Sequence, residues 1–184
     1  MLLFLWSSSL EKWIIKSRKQ EHRGNIFLYE TIDAHHPTKP IACGPYDIIR
    51  LADWVNVVAI TEDNKIILVE QYRFGMDEIT IETPAGAINR GEDPLVAAKR
   101  ELEEETGYIS DEWESLGRVS VNPAFMTNSA HFFLAKNCRP DGEQNFDPDE
   151  DIELVIKPVS ELKEVLKNMD HSLSELCISR YLLK

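Results

Sequence analysis

One stretch of the chain, residues 86–108, decides how the rest is interpreted: GAINRGEDPLVAAKRELEEETGY. Asp93 is a good helix N-cap, and Pro94 suits the first helical position because an N–H there would have no intrahelical partner. Gly107 readily adopts the left-handed conformation that ends many helices. The stretch therefore predicts a helix from about Pro94 to Thr106, preceded by a loop.

The predicted helix has an apolar stripe beside an acidic face. At about 100° per residue, one arc carries three carboxylates, those of Glu101, Glu104 and Glu105. Like charges three or four residues apart cost a helix about 0.2–0.5 kcal/mol per pair, so a positive partner is expected. Oxygen ligands without His or Cys suit a hard divalent cation such as Mg²⁺. Taken alone, the run ELEEE would instead indicate a solvated acidic face.

The flanks of the helix favour the metal interpretation. The stretch matches the pattern Gly-x5-Glu-x7-Arg-Glu-U-x-Glu-Glu-x-Gly-U, in which U is a bulky apolar or aromatic residue. This pattern resembles the signature of the Nudix hydrolases. The matching positions are Gly86, Glu92, Arg100, Glu101, Leu102, Glu104, Glu105, Gly107 and Tyr108.

The resemblance implies a role for individual residues. Glu101 and Glu105 match the principal metal ligands of the family, and Glu104 matches a further ligand or a carboxylate that holds the catalytic water. The carbonyl of Ala85 is implied as another metal ligand. Arg100 is implied to orient the carboxylates by ion pairing, which its planar guanidinium suits.

Composition restricts the classes of function. The chain has 184 residues with 43% hydrophobic content, enough for one sizeable core with embellishments. Its net charge is −12, from 32 acidic and 20 basic residues. A nucleic-acid-binding surface needs clustered Lys and Arg, so we expect no nucleic-acid partner.

The cysteines and the N-terminus indicate a cytoplasmic protein without a membrane partner. Cys43, Cys138 and Cys177 are odd in number and widely spaced, which predicts neither a disulfide framework nor a zinc site. The apolar N-terminal run of residues 1–6 is short and has no basic flank before it. We interpret it as an N-terminal extension, with export by a divergent signal as the alternative.

Strands are predicted before the acidic helix. Residues 55–60 and 65–72 form two β-rich runs around a polar turn, which predicts a central hairpin. Arg73 follows directly, and its bidentate guanidinium would suit a phosphate clamp or a surface ion pair. Nudix members that cleave ADP-ribose and nucleotide sugars carry a similar Gln-Tyr-Arg, which implies that Arg73 contacts the diphosphate. By the same resemblance, Glu82 is a carboxylate on the substrate side of the site.

The residues beyond the helix add three expectations. Pro123 lies sixteen residues after Gly107, an offset that resembles the ADP-ribose and nucleotide-sugar subgroup. Residues 139–151 predict a mobile polar loop, and the resemblance places a general base or extra metal ligand near its end. Glu150 is the chosen base, with Asp149 and Glu153 as alternatives. Trp54 or Phe27 would stack on a purine or fill the core.

Two helices are predicted near the C-terminus. Ser160 would cap the first, running to about Met169, and the capping box of Ser172 and Glu175 would open the last, running to Leu183. The fold class is therefore α/β: a Nudix-type α/β/α sandwich with a mixed central sheet and an N-terminal β-rich extension. Residues 1–50 form that extension, and residues 51–184 form the Nudix domain. Relatives in the subgroup are homodimers whose N-terminal strands cross to the partner, so the resemblance implies a homodimer.

The functional hypothesis is an enzyme. It predicts Mg²⁺-dependent hydrolysis, with Mn²⁺ as a substitute, of the pyrophosphate in ADP-ribose or another nucleoside diphosphate sugar. The products would be a nucleoside monophosphate and a sugar phosphate. One alternative changes the substrate to a dinucleoside polyphosphate, coenzyme A or an oxidised nucleotide. The other is a nucleotide-sensing Nudix domain without catalysis. The presence of all the motif carboxylates disfavours this alternative.

Overall fold

The computed structural model describes residues 10–41, 44–146 and 151–184. The chain divides into two compact units. The first consists of Met1–Leu51 with Asn122–Thr127, and the second of Ala52–Val121 with Asn128–Lys184.

The first unit contains a three-stranded antiparallel sheet in the order β1-β2-β3. Its strands are β1 (Ile14–Arg23), β2 (Leu28–His35) and β3 (Tyr46–Arg50). All ten residues of β1 are exposed, including Ile14 and Ile15, which point to opposite faces of the strand. Pro123 also belongs to this unit, in a segment that bridges to β3 through Met126 and Ile49.

The second unit is built on a seven-stranded mixed sheet in which β4 and β9 are parallel and the other neighbours are antiparallel. The main path has the order β10-β5-β4-β9-β8, with β6 paired to β5 and β7 paired to β4. The strands are β4 (Trp54–Thr61), β5 (Lys65–Arg73), β6 (Glu78–Glu82), β7 (Ala85–Ala87), β8 (Glu112–Ser120), β9 (Ser129–Cys138) and β10 (Ile152–Pro158).

The central hairpin of β4 and β5 is confirmed, and its apolar runs have a physical reason. Val55 through Ile60 and Ile66 through Val69 are all buried, because helices cover both faces of the sheet at these positions. Asn64 makes the turn between the strands with a positive φ of 60°, a conformation that Asn tolerates better than most residues.

In the described ranges, the α helices of the two outer layers are α1 (Pro94–Thr106), α2 (Leu162–Asn168) and α3 (Ser172–Leu182). Leu102 of α1 packs on one face of the sheet with Val55, Val57 and Ile67. The other face packs against α2 and α3, with residues such as Leu162 and Ile178. The predicted α/β/α sandwich with a mixed sheet is therefore confirmed.

The bounds of α1 agree with the prediction, and its caps explain why. The Asp93 carboxylate accepts a hydrogen bond from the Leu95 N–H (2.9 Å), and Gly107 has a φ of 69° with its N–H donating to the Glu103 carbonyl (2.8 Å). The predicted caps of the other helices are wrong. Ser160 lies inside a 3-10 turn, Val159–Glu161, and the N-cap of α3 is His171 instead of Ser172. Within the described ranges, no helix is long and apolar enough to span a membrane.

Candidate active site

The segment between β6 and α1 is held beside β4, underneath α1. The Val57 N–H donates to the Pro84 carbonyl (2.9 Å), and the Ile88 N–H donates to the Asp53 carbonyl (2.8 Å). Between these points β7 pairs with β4, so that Ala85 lies opposite Asn56. The backbone of residues 84–88 is therefore fixed where the carboxylates of α1 meet it.

Two of those carboxylates are almost buried against this backbone. Glu105 is 2% exposed and Glu101 is 8% exposed. The Ala85 N–H donates to Oε2 of Glu105 (3.0 Å). At Gly86, a Cβ atom would overlap the carboxylate of Glu101. The absence of a side chain at Gly86 thus lets the Glu101 carboxylate lie directly on the main chain.

Arg100 lies among three carboxylates. Its Nε and Nη2 donate to the two oxygens of Glu92 (3.0 and 3.1 Å), and its Nη1 donates to Glu101 (2.7 Å) and Glu104 (2.9 Å). Nη2 also donates to the Ala87 carbonyl (3.1 Å). The bond to Glu92 is the largest of the influences that raise the pKa of Arg100, and the same bond lowers the pKa of Glu92.

The chemistry of this site suits a hard divalent cation. One guanidinium faces the carboxylates of Glu92, Glu101 and Glu104, and the carboxylate of Glu105 lies on the same arc of α1, so acidic oxygen ligands outnumber the positive group. In the parts of the chain that the structure describes, no three His, Cys, Asp or Glu side chains form a ready-made metal shell. In this arrangement Arg100 bonds Glu101 and Glu104, while Glu105 accepts from Ala85. A cation at this site would compete with these donors for the carboxylate oxygens.

The loop that follows β9 is attached to the last turn of α1. The Asn145 N–H donates to the Glu104 carbonyl (2.9 Å), and Nε2 of Gln144 donates to the Glu105 carbonyl (3.1 Å). These bonds satisfy carbonyls that have no partner within the helix. They also fix residues 144 and 145 at the C-terminal end of α1.

The predicted general base lies outside the described residues. This holds for Glu150 and for its alternative Asp149. The other alternative, Glu153, is exposed on β10 and lies directly opposite Glu70 of β5. The choice among the three stays a prediction.

Arg73 is held by Glu82 in the β5–β6 hairpin. Its Nε donates to Oε1 of Glu82 (2.6 Å) and its Nη2 donates to Oε2 (2.5 Å). The Glu82 side chain has no solvent exposure, whereas that of Arg73 is 29% exposed. Glu82 therefore holds Arg73 from beneath, and Arg73 is the member of the pair that reaches the surface.

The other two residues with a predicted substrate contact lie in different units. Trp54 is the first residue of β4, half-buried, and lies between Ala87 of β7 and Ala130 of β9. Pro123 belongs to the first unit. Their contacts with a substrate stay predictions.

Three residues that contact Arg100, α1 or Glu82 have no role predicted from the sequence. Glu92 makes the bidentate contact with Arg100, Gln144 attaches the loop after β9 to α1, and His171 lies 3.4 Å from Glu82. Glu92 is one of the motif positions, so its place in the pattern was a usable signal. Gln144 and His171 are far from their partners in sequence, and no local pattern marks them.

Comparison with known proteins places residues 51–176 under a family model described as "NUDIX domain". The methanol dehydrogenase activator of Bacillus methanolicus is 38% identical over 122 residues, which cover 66% of this chain and 66% of that protein. The ADP-ribose pyrophosphatase of Bacillus subtilis (strain 168) is 34% identical over 110 residues, covering 59% of this chain and 60% of that protein. The matches thus span two thirds or less of the length of these curated relatives.

A solved structure supports the fold. The crystal structure of an ADP compounds hydrolase superposes with a TM-score of 0.83, covers 95% of each chain and is 22% identical in sequence. At that identity the likeness establishes the architecture alone.

Proposed function

Because the chain belongs to the Nudix hydrolase family, we propose that it hydrolyses the pyrophosphate bond of ADP-ribose or another nucleoside diphosphate sugar. The products are a nucleoside monophosphate and a sugar phosphate. The observation that carries this proposal is the pair of clusters at the two ends of residues 82–86: an acidic face on α1 and an arginine held by a buried carboxylate. A diphosphate needs both a cation and a positively charged side chain to bind beside so many carboxylates.

The residues that would hold Mg²⁺ are Glu101, Glu104 and Glu105 of α1, together with the Ala85 carbonyl. Mn²⁺ would substitute, since it accepts the same oxygen ligands. When bound, the metal ion neutralises charge on the diphosphate and lowers the pKa of a coordinated water. Arg100, fixed by Glu92, orients Glu101 and Glu104 for this task.

The remaining steps fall to side chains of the chain itself. Glu150 accepts a proton from the attacking water, while one P–O bond of the pyrophosphate breaks and the leaving phosphate carries away the bridging oxygen. Arg73 donates to the diphosphate and stabilises its charge, with Glu82 holding the guanidinium in place. Trp54, at the start of β4, completes the part of the substrate site that lies in the second unit.

The substrate class draws support from relatives. One curated relative is named ADP-ribose pyrophosphatase in Bacillus subtilis. That name describes an adenosine diphosphate group, which agrees with an arginine placed to bind a diphosphate.

A product assay tests the proposal. ADP-ribose and a panel of ADP-, GDP- and UDP-sugars are incubated with the protein and Mg²⁺ or Mn²⁺, and the products are identified by mass spectrometry. We expect ADP-ribose to yield AMP and ribose 5-phosphate, with oxygen from labelled water on one of the two phosphates. Cleavage of diadenosine polyphosphates or coenzyme A alone would overturn the substrate class. Binding without cleavage would instead support a nucleotide-sensing domain.

The proposal extends to assembly and location. The first unit exposes Ile14 and Ile15 on β1, which is an edge strand of its sheet, and an edge strand can pair with a second copy of the chain. We therefore expect a homodimer, and light scattering on the protein as it elutes from a sizing column should give twice the chain mass. Ile15→Glu should shift that mass toward the monomer.

Cys138 and Cys177 are free, buried thiols, which suits a reducing compartment such as the cytoplasm.

A further inference from the structure

Glu82 is bonded or close to three side chains from three parts of the second unit. Besides its two bonds from Arg73, Oε1 accepts from the Thr80 hydroxyl (2.6 Å), and Oε2 lies 3.4 Å from Nε2 of His171. A carboxylate without solvent exposure is costly unless such partners satisfy it. The orientation of this carboxylate is therefore set by its neighbours, and Arg73 follows it.

The strand register shows where the guanidinium is held. Arg73 lies opposite Glu78, near the hairpin tip, whereas Glu82 lies opposite Val69. The Arg73 side chain must therefore run back along the hairpin to reach Glu82. Ala85 lies only three positions after Glu82 in the chain, which limits their Cα separation to about 11 Å. The charged group thus points toward the acidic face of α1 and away from the hairpin tip.

The hydrogen bonds of His171 determine which of its nitrogens carries the proton. Nδ1 accepts from the Ser174 N–H (3.3 Å) as the N-cap of α3, and lies 2.8 Å from the Ser174 hydroxyl. An accepting Nδ1 has no proton, so the proton of the neutral ring is on Nε2, which faces Glu82. Burial lowers the pKa of His171, which keeps the ring neutral at pH 7.

The same helix end also contacts the residue after Glu82. The Ser174 hydroxyl oxygen accepts from the Thr83 N–H (3.0 Å) and lies 3.1 Å from the Thr83 hydroxyl. Thr83 and Ser174 are both fully buried. The start of α3 therefore contacts two successive residues of the segment that leads to Ala85.

We propose that His171 is a positioning residue for substrate binding: through Glu82, it orients Arg73 toward the diphosphate. The proposal rests on the proposed function in one respect, the identity of the group that Arg73 binds. It assigns to the C-terminal helix a part in the site, although α3 packs on the face of the sheet opposite α1.

Two substitutions separate the roles of the two ring nitrogens. In His171→Asn, Oδ1 can replace Nδ1 as the cap of α3, but nothing reaches Glu82. In His171→Gln, Nε2 can replace the ring Nε2 beside Glu82, but the cap is lost. For a nucleotide sugar that the wild type cleaves, we expect His171→Asn to raise KM about tenfold or more, with kcat and the melting temperature little changed, the usual scale for an outer-shell partner. His171→Gln should melt about 2–4 °C lower yet keep its KM within about threefold.

The Arg73→Ala background shows whether the effect passes through Arg73. There His171→Asn should cause no further rise in KM, because the residue that it positions is gone. An unchanged KM in His171→Asn, or an equal rise with and without Arg73, would overturn the proposal. A rise in KM that follows the loss of melting temperature in both variants would reduce His171 to a structural cap.

A second measurement does not depend on activity. The Arg73 Nε–H, bonded to a buried carboxylate, should give a slowly exchanging NMR signal that is assigned by its loss in Arg73→Lys. We expect its exchange to accelerate in His171→Asn and to stay slow in His171→Gln. If no nucleotide sugar is cleaved, the proposed function fails while this test still decides the role of His171. Equal exchange rates of the Arg73 Nε–H in the wild type, His171→Asn and His171→Gln would by themselves overturn the positioning role.

Discussion

Arg100 and Arg73 are both held by carboxylates, and the two clusters differ in their balance of charge. Arg100 bonds three carboxylates, which leaves an excess of negative charge on the face of α1. Among its described partners, Arg73 bonds the carboxylate of Glu82, whose other neighbours are the Thr80 hydroxyl and His171. The first cluster can therefore accept a cation, while the second can present an arginine to an anion.

The two arginines also differ in role: Arg100 orients neighbouring carboxylates, whereas Arg73 is proposed to bind substrate. At Arg100 the guanidinium is spread over four acceptors, since the Ala87 carbonyl joins the three carboxylates. An arginine so engaged orients its neighbours and has little capacity left for a substrate. Arg73 is bonded through Nε and Nη2 to the fully buried Glu82. The exposed fractions of the two arginine side chains are nearly equal, 29% for Arg73 and 28% for Arg100, so the two clusters differ in their bonds and not in exposure.

The largest effect is expected at the general base, Glu150. The carboxylates of Glu101, Glu104 and Glu105 are already bonded to Arg100 or Ala85, so the base is a different carboxylate. Glu150→Gln should reduce kcat by roughly 10²–10⁴-fold, the usual contribution of a general base, while the metal concentration for half-maximal rate changes little. Steady-state rates across a Mg²⁺ series measure both quantities. Asp149→Asn and Glu153→Gln are the matched variants, and a loss of this size in either would move the base to that residue.

The excess of negative charge on α1 is tested next by Glu105→Gln. It should lower turnover by at least about a hundredfold, because the Glu105 side chain would contact the metal directly, and even the loss of an outer-shell partner costs up to about that much. Glu103→Gln makes the same change on the exposed side of the same helix and should leave turnover near normal. Circular dichroism confirms folding in both proteins. Near-normal turnover in Glu105→Gln would remove Glu105 from the metal site.

Arg73→Ala tests the second cluster, that of Arg73 and Glu82. It should weaken kcat/KM by about 1.5–3 kcal/mol, the range for a hydrogen bond to a charged group. The metal dependence should not change, which distinguishes this cluster from the first. Arg118, exposed on β8, provides the control substitution Arg118→Ala. If Arg73→Ala instead shifts the metal dependence, the two clusters act as one site.

Gly86→Ala disturbs the metal site without removing a charge. The new Cβ would overlap the Glu101 carboxylate and force it away from the backbone. This displacement should lower the affinity for Mg²⁺ by roughly 10–100-fold. Gly75→Ala is the matched control, since a Cβ there meets nothing within 4 Å. Isothermal titration with Mn²⁺ measures the affinity directly. Equal affinity in the two alanine variants would show that Glu101 does not need the bare main chain at Gly86.

The elements around the first cluster were predictable because their signals are local. Asp93, Pro94 and Gly107 mark the ends of α1 within a few residues, and the alternation of buried and polar runs marks the central hairpin. These elements, together with the motif, were enough to predict the fold class. The same local logic failed at α3, where the side chain of His171 replaced the expected cap from Ser172.

The second cluster depends on contacts that no local pattern contains. The β5–β6 register places Arg73 opposite Glu78, so its bonds to Glu82 depend on how the side chain runs back along the hairpin. His171 reaches Glu82 from the start of a helix about ninety residues later. A histidine N-cap is uncommon, so the pattern favoured serine. Tertiary packing decides such contacts, and only the folded chain shows them.

The smallest effect concerns acid stability and comes from Glu92, which contacts Arg100 with both oxygens. The bond to Arg100, and next the N–H of Asn89, lower the pKa of Glu92 in the folded protein. A carboxylate with a lowered folded-state pKa stabilises the fold above its unfolded pKa of about 4.3, and this stability is lost as the pH falls through the folded-state value. Urea unfolding of chelator-treated protein should therefore show Glu92→Gln less stable than wild type at pH 7 by about 0.5–1 kcal/mol. The gap should narrow below about pH 4. Glu103→Gln serves again as control, and a gap for Glu92→Gln that stays constant from pH 7 to pH 3 would mean that Arg100 is held by Glu101 and Glu104 without help from the charge of Glu92.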